Sequence, residues 1–150
     1  MEIDDTAGQE AYHDLKKEKM STGHGYLLVY SITDDTSFSK LERLRDEIIR
    51  AQAGRPVPIF LVGTKADLAA DRAVSEKERA AKARAWGAKS FEVSSKTNAG
   101  VNEAFMEIIT AAMQSSGDFS IGTAGGSVMG AGLTAPDVYA IRKRKVCSFL

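Results

Sequence analysis

The chain has 150 residues, 43% of them hydrophobic and 27% charged, a balance that is typical of one soluble globular domain. No apolar run approaches the roughly 18 residues that a membrane-spanning helix needs, and the acidic start differs from the basic start of a secretory signal. One cysteine excludes an internal disulfide. We therefore expect a cytosolic globular body, with no nucleic acid as a partner.

The charges are distributed unevenly along the chain, although the formal net charge is zero. Residues 1–114 contain 16 Lys and Arg against 18 Asp and Glu, and the last 36 residues contain 4 against 2. Such a basic tail is attracted to an anionic surface, and a disordered, solvated tail is the alternative interpretation. The four cations of the tail are consecutive: Arg142, Lys143, Arg144 and Lys145.

Three short apolar runs predict β-strands. They occupy residues 26–30, 59–62 and 91–93, and strand-forming residues dominate them. The first two runs do not alternate between apolar and polar residues, which is typical of strands that are covered on both faces. We therefore predict a parallel sheet.

Helical patterns lie between and after the predicted strands. Apolar residues recur every three or four positions within residues 38–48 and 101–112, so each segment presents one apolar stripe. Ser75 followed by Glu78 matches a capping box, which predicts the start of another helix, and Gly87 is a suitable end for it. Strands that alternate with helices predict an α/β fold. We expect an open, mainly parallel sheet with helices on both faces and ligands at the carboxyl ends of its strands.

The composition changes after Gln114. Six of the chain's 13 glycines lie between Gly117 and Gly132, among Ser, Thr and Ala. This composition is typical of a flexible linker. We therefore divide the chain into a folded domain, residues 1–114, and a flexible tail, residues 115–150.

The second predicted strand leads into residues 63–68, which have the sequence GTKADL. The Asp67 carboxylate has the acceptors to receive hydrogen bonds from both N1–H and the N2 amine of guanine, which adenine does not offer. The stem of Lys65 is long enough to cover the face of a base while its charge stays solvated. An ordinary solvated turn is the alternative for this loop taken alone.

The third predicted strand ends in a second loop of small residues, residues 93–97, with the sequence VSSKT. The backbone amides of this loop, at Ser94 and Ser95, are candidate donors to a carbonyl such as guanine O6, and Lys96 is a candidate for the other face of the base. An ordinary strand-to-helix turn is the alternative. Because one sheet would bring the two loops together, the pair indicates purine recognition more specifically than either loop does.

A third candidate segment, residues 5–10 with the sequence DTAGQE, stands near the start of the chain. These residue types suit the surroundings of a terminal phosphate. Asp5 is a candidate ligand, through water, of a magnesium ion. Gly8 allows a backbone amide to approach the phosphate, and Gln9 is a candidate for orienting an attacking water. A surface turn is the alternative interpretation.

These three segments, together with the last four residues, 147–150 with the sequence CSFL, resemble the Ras branch of the small GTPases. The resemblance of the folded part covers about residues 2–114. It implies a P-loop-NTPase-type fold that binds GTP or GDP with magnesium and, in its complete form, hydrolyses GTP to GDP and phosphate. It implies that Asp67 reads guanine, that Lys65 and Lys96 enclose the base, and that Gln9 positions the water. Further nucleotide contacts are implied for four residues: Gly8, Thr64, Ser94 and Ser95.

Two features depart from the family pattern. Thr64 stands where most members have Asn, although Rho-like members resemble this chain in using Thr. No Gly-x-x-x-x-Gly-Lys-Ser/Thr motif occurs in the sequence, and a first switch segment is not found either. We therefore expect a sheet that is incomplete at its N-terminal side and an exposed apolar edge on the strand at residues 26–30. We also expect weak nucleotide and magnesium binding and no catalysis by this chain alone.

The last four residues, which begin with Cys147, fit the Cys-a-a-X pattern, in which a terminal leucine directs geranylgeranylation of the cysteine. One lipid chain gives only reversible membrane binding, and neighbouring cations add about 1 kcal/mol each on an anionic leaflet. We therefore predict a signalling switch on the cytoplasmic face of the plasma membrane or an endomembrane, and a cytosolic protein without prenylation. A catalytically inactive, membrane-tethered interaction module is the alternative, because exchange factors, activating proteins and effectors are in doubt without the first switch.

Overall fold

The computed structural model describes residues 2–5, 13–115 and 145–149. Its strands are β1 (Glu2–Asp5), β2 (Gly25–Ser31), β3 (Ile59–Thr64), β4 (Ser90–Glu92) and β5 (Lys145–Phe149). Its α-helices are α1 (His13–Thr22), α2 (Asp35–Ala51), α3 (Glu76–Trp86) and α4 (Val101–Gln114), and a 3-10 helix spans Ala66–Asp71. None of the helices in these three described segments is long and apolar enough to cross a membrane.

The five strands form one sheet in the order β1-β5-β2-β3-β4, and every pair of neighbours is parallel. The predicted strands at residues 26–30, 59–62 and 91–93 correspond to β2, β3 and β4. Parallel strands need long crossover connections, and α2 and α3 supply them between β2, β3 and β4. The α/β fold with a parallel sheet is therefore confirmed.

The sheet separates two apolar cores. Along β2, Tyr26, Leu28 and Tyr30 face the side of α1, α2 and α3, whereas Leu27 and Val29 face the side of α4. All five side chains are buried, because successive residues of a strand point to opposite faces and both faces carry helices. This explains why the run of residues 26–30 is continuously apolar.

The ends of α3 follow the sequence prediction. The Ser75 side chain accepts a hydrogen bond from the Glu78 amide, and the Glu78 carboxylate accepts one from the Ser75 amide at 2.9 Å. Gly87 ends the helix with φ of 61°, in the left-handed region that glycine adopts at little cost. The capping box and the C-terminal glycine are therefore confirmed.

The last described segment differs from the prediction. Residues 145–149, which the composition placed within a flexible tail, form β5 between β1 and β2. The edge of β2 that we expected to be exposed pairs with β5, so that expectation is wrong. The physical reason is that unpaired strand amides and carbonyls favour pairing with any available extended segment. Of the predicted basic cluster, the structure describes only the backbone of Lys145, in β5. The other three cations, Arg142, Lys143 and Arg144, lie outside the described residues.

Candidate functional site

The two loops that the sequence singled out lie side by side at the carboxyl edge of the sheet. β3 and β4 are neighbours, with Gly63 opposite Glu92, so the chain leaves both strands at the same place. The pairing continues beyond the strands, because the Val93 amide donates to the Gly63 carbonyl at 2.8 Å and the Ala66 amide donates to the Val93 carbonyl at 3.1 Å. The structure therefore joins the two predicted loops through their backbones.

A side-chain hydrogen bond joins the same loops. The Ser94 hydroxyl donates to Asp67 Oδ1 at 2.6 Å and accepts from the Thr97 amide at 3.2 Å. Ser94 is 2% exposed, whereas Asp67 is exposed to solvent. The sequence analysis assigned Ser94 to the nucleotide. In the structure it holds the Asp67 carboxylate in place, a role that the spacing of the two residues did not reveal.

The environment of Asp67 favours the ionised carboxylate. The Ser94 hydrogen bond is the main cause that lowers the pKa of Asp67 below its ordinary value, and the charge of Lys96 acts in the same direction. Desolvation opposes this shift only in part. An ionised, exposed carboxylate accepts hydrogen bonds and does not donate them. The group is therefore suited to a ligand that presents two neighbouring N–H donors.

The remaining residues of the predicted base site are accessible. Lys65 and Lys96, one on each loop, are exposed, and so is Ser95. Lys65 has φ of 62° and ψ of 37°, a left-handed backbone conformation that is uncommon for residues other than glycine and asparagine. This residue makes the turn from β3 into the 3-10 helix that carries Asp67. The two lysines, Ser95 and Asp67 are thus all exposed to solvent on the two joined loops.

The end of β3 is attached to β2. The Thr64 hydroxyl donates to the Tyr30 carbonyl at 2.9 Å. This hydroxyl ties the loop to the neighbouring strand. The preceding residue, Gly63, lies against the Tyr30 side chain. A Cβ at position 63 would lie 2.8 Å from the Tyr30 hydroxyl oxygen. A residue larger than glycine would therefore displace Tyr30.

An ion pair that the sequence did not predict lies next to the two loops. The Arg72 guanidinium donates to both carboxylate oxygens of Glu92 at 2.7 Å, and the Arg79 Nε lies 3.2 Å from the same carboxylate. Hydrogen bonding from Arg72 holds the pKa of Glu92 below its ordinary value. The pair fixes the segment after the 3-10 helix to the end of β4. No local sequence pattern predicts this ion pair, because Arg72 and Glu92 lie 20 positions apart.

The predicted phosphate-side residues are only partly described. Asp5 ends β1, and its Cα pairs in register with that of Ser148, so its backbone lies at the carboxyl edge of the sheet. β1 and β3 are three strand positions apart, about 14 Å at ordinary strand spacing. Gly8 and Gln9 lie outside the described residues, as does the Asp5 side chain.

Asp5 is the residue that the sequence analysis assigned to magnesium, and its backbone lies at this edge. Within residues 2–5, 13–115 and 145–149, no group of three or more His, Cys, Asp or Glu side chains converges. Magnesium is commonly held by one or two carboxylates together with water and substrate phosphates, so a single carboxylate at the phosphate end fits that chemistry. The Asp5 assignment therefore depends on a nucleotide that supplies further oxygen ligands.

A separate groove of about 770 Å³ lies at the opposite, amino-terminal edge of the strands. Its walls come from the segment before β3, the segment before β4, and the last turns of α2, α3 and α4. Ligands of open parallel sheets bind outside the carboxyl ends of the strands. The groove is therefore not part of the candidate site.

The fold and the two joined loops define an α/β domain with an exposed carboxylate and two exposed lysines at the carboxyl edge of its sheet. The family model described as "Ras family" matches residues 1–114. The chain is also 39% identical, over 109 residues, to the "Ras-like protein" of Laccaria bicolor, a match that covers 73% of this chain and 52% of that protein. The chain therefore belongs to the Ras family of small GTP-binding proteins. It spans about half the length of this curated relative.

Proposed function

We propose that the chain recognises guanine nucleotides through the loops that follow β3 and β4. The observation that carries this proposal is the 2.6 Å hydrogen bond from Ser94 to Asp67, which joins the two loops and fixes an ionised carboxylate at their surface. The Ras-family match over residues 1–114 supports the same ligand class. The base is thus the part of the nucleotide that the described residues address.

The hydrogen-bonding pattern of the two loops matches guanine. The Asp67 carboxylate would accept from N1–H and from the N2 amine, and the Ser95 amide would donate to O6. Adenine presents an acceptor at N1 and has no N2 amine, so it would leave the carboxylate unpaired. The stems of Lys65 and Lys96, which are both exposed, would cover the faces of the base.

At the phosphate end we propose that Asp5 holds magnesium through water and that Gly8 and Gln9 serve GTP hydrolysis in the complete form of the protein. Magnesium would neutralise phosphate charge when bound. The 150 residues contain no Gly-x-x-x-x-Gly-Lys-Ser/Thr motif, whose amides and lysine would hold the phosphates. For this chain we therefore propose weak, base-selective binding without turnover.

We further propose that the protein is attached to the cytoplasmic face of a membrane. Where Leu150 is the natural carboxyl terminus, Cys147 is the acceptor of a prenyl group, and residues 142–145 add electrostatic attraction. Cys147→Ser should move the protein from the membrane fraction to the cytosol. A membrane fraction that does not change would contradict this part of the proposal.

Base recognition is tested by ligand-detected NMR of the 150-residue chain with GDP or ADP at millimolar concentration. We expect GDP to bind more tightly than ADP. Asp67→Ala should weaken GDP binding about tenfold to a hundredfold, since a hydrogen bond to a charged group contributes about 1.5–3 kcal/mol. The matched control is Asp71→Ala, an exposed carboxylate in the same 3-10 helix, which should leave GDP binding unchanged. Equal binding of GDP and ADP by the unaltered chain would refute the proposal.

A further inference from the structure

The groove at the amino-terminal edge of the strands has the dimensions of a binding site. Its volume is about 770 Å³, within the range of about 300–1,000 Å³ that ligand sites of proteins commonly have. The groove and the candidate base site lie at opposite ends of the strands. A ligand of the groove therefore does not compete with a nucleotide.

Apolar side chains form part of the groove wall. Trp86 at the end of α3 is only partly buried, and Ile49 near the end of α2 is 42% exposed. The guanidinium carbon of Arg45 lies 5.2 Å from the centroid of the Trp86 ring. Trp and Arg are enriched among the residues that dominate the binding energy of protein interfaces. The groove therefore offers an apolar surface that a large side chain of a partner can cover.

Arg55 places a fixed positive charge at the groove. Its Nε donates to Gln52 Oε1 at 2.7 Å, and its Nη2 lies 3.0 Å from the carbonyl oxygens of both Ser21 and Gly23. All three acceptors are neutral. Among the described residues, Nη1 has no hydrogen-bond partner and no carboxylate forms an ion pair with this guanidinium. An exposed guanidinium that is held in this way is preorganised to bind a carboxylate.

The remaining charges give the groove a net positive lining. Lys89 pairs with the Glu107 carboxylate, so these two charges offset each other. Arg45 Nη1 lies 3.5 Å from Oδ1 of Asp46, an exposed residue that does not line the groove. The charged residues of the lining are three cations and one carboxylate: Arg45, Arg55, Lys89 and Glu107. Complementary charge determines which partners an interface accepts, so this lining favours an acidic partner.

We propose that the groove docks a peptide segment of a partner protein that carries a carboxylate side chain close to a large apolar side chain. The carboxylate accepts from Nη1 of Arg55, and the apolar side chain covers Trp86 and Ile49. A segment with the apolar side chain alone leaves the Arg55 charge unpaired, and a basic segment meets a like charge. The proposal does not rest on the guanine recognition proposed above.

Selection from a random library of displayed peptides on the 150-residue chain identifies such segments. We expect the enriched peptides to carry Asp or Glu within a few positions of Phe, Leu, Ile or Met. An enriched peptide, synthesised without Trp, is then titrated against the chain, with the fluorescence of Trp86 as the readout, because this residue is the single tryptophan of the sequence. Enrichment of basic or uncharged peptides, or no enrichment, overturns the proposal.

Two charge variants at Ile49 test where the peptide binds. Ile49→Asp and Ile49→Lys remove the same apolar contact at an exposed position, so the two chains differ mainly in charge. We expect Ile49→Asp to bind the acidic peptide about fivefold to tenfold more weakly than Ile49→Lys, because like charges repel. The control is Met106→Asp, at a position on α4 that is 39% exposed and outside the groove, which should bind like the unaltered chain. Equal binding by the two Ile49 variants overturns the proposal.

Arg55→Gln tests the contact with the carboxylate. We expect this variant to bind the acidic peptide about tenfold more weakly, since a hydrogen bond to a charged group is lost. The matched peptide with Asn and Gln in place of its acidic residues should bind Arg55→Gln and the unaltered chain equally. Because Arg55 also holds the carbonyls after α1, the comparison of the two peptides separates charge recognition from a structural change. An equal loss for both peptides overturns the proposal.

A dilution series of the chain without peptide tests a second copy as the occupant. We expect the Trp86 fluorescence per molecule to be independent of the chain concentration. A fluorescence change that follows self-association, and that Ile49→Asp abolishes, would show that the groove binds another copy of the chain, and the proposal of a partner peptide would be wrong.

Discussion

The two sides of the sheet are built in different ways. β2, β3 and β4 follow one another along the chain, are joined by crossovers that contain α2 and α3, and carry the candidate base site at their carboxyl ends. β1 and β5 pair with each other although their segments, residues 2–5 and 145–149, lie far apart in the sequence. The fold of the β2–β3–β4 side follows from local sequence patterns. The fold of the β1–β5 side follows from pairing between segments that are distant in the sequence.

This difference separates the proposed base site from the proposed lipid acceptor. The proposed base site includes Asp67 and Ser94, and the nearby ion pair of Arg72 and Glu92 lies on the same β2–β3–β4 side. The cysteine that we propose as the lipid acceptor lies on the β1–β5 side. Changes on one side should therefore affect one property and leave the other intact. The following predictions test what holds the β2–β3–β4 side together, from the largest expected effect to the smallest.

Leu61→Ala should cause the largest loss of stability. Leu61 lies at the centre of β3 and is 0% exposed, so truncation leaves a cavity in the core under α2 and α3. We expect the free energy of unfolding in urea to fall by about 2–5 kcal/mol. The control is Leu68→Ala, at a position that is 38% exposed, with an expected change within about 0.5 kcal/mol. Equal losses for the two variants would show that this side of the sheet lacks a close-packed core.

Glu92→Gln should destabilise the β2–β3–β4 side in a pH-dependent way. The folded state lowers the pKa of Glu92, mainly through the Arg72 hydrogen bonds, so the carboxylate contributes stability above its ordinary pKa. That contribution is lost as the pH falls through the lowered value. We expect a difference of about 1.5–3 kcal/mol from the unaltered chain near neutral pH, which shrinks in acid.

Urea unfolding at several pH values measures this difference. The control is Glu42→Gln, whose side chain is 68% exposed and lies 3.7 Å from Lys82. This surface pair should contribute no more than about 1 kcal/mol. A Glu92→Gln effect that does not change between neutral and acidic pH would contradict the role assigned to the ion pair.

Ser94→Ala should have a small effect on stability and a clear effect on the site. Loss of the Ser94 hydroxyl removes the main cause of the lowered Asp67 pKa, so that pKa should rise toward its ordinary value. Carbon-detected NMR titration of the Asp67 carboxyl group measures the shift directly. Ser95→Ala is the control and should leave the titration unchanged. An Asp67 titration that is the same in both variants would show that the two loops are not joined by this hydrogen bond.

Much of the β2–β3–β4 side was predictable from the sequence. The apolar run at residues 26–30, the helical stripe at residues 38–48 and the capping box that begins at Ser75 all appear in the structure as predicted. Each is a local pattern, in which a short segment carries its own periodicity or cap. The sequence also indicated correctly that the loops after β3 and β4 would meet, because the carboxyl ends of neighbouring parallel strands share one edge.

The remaining features could not be predicted because their partners are distant in the sequence. The Arg72 and Glu92 pair, the Thr64 hydrogen bond to β2 and the place of β5 all depend on which segments meet in the folded chain. Residues 145–149 begin at the last residue of the basic block and follow a glycine-rich stretch, so composition alone placed them in a tail. A five-residue strand has too little periodicity to outweigh that composition.

The most direct test of the account asks whether one substitution at Asp67 changes the base that the chain prefers. Asp67→Asn replaces one carboxylate oxygen by an amide that donates, so the side chain should pair with the N1–H and the C2 carbonyl of xanthine instead of the two donors of guanine. Ligand-detected NMR with GDP and the diphosphate of xanthosine compares the two bases on both chains. We predict that the unaltered chain prefers GDP and that Asp67→Asn prefers the xanthine nucleotide. An Asp67→Asn chain that keeps the guanine preference of the unaltered chain would contradict the assignment of Asp67 as the residue that reads the base.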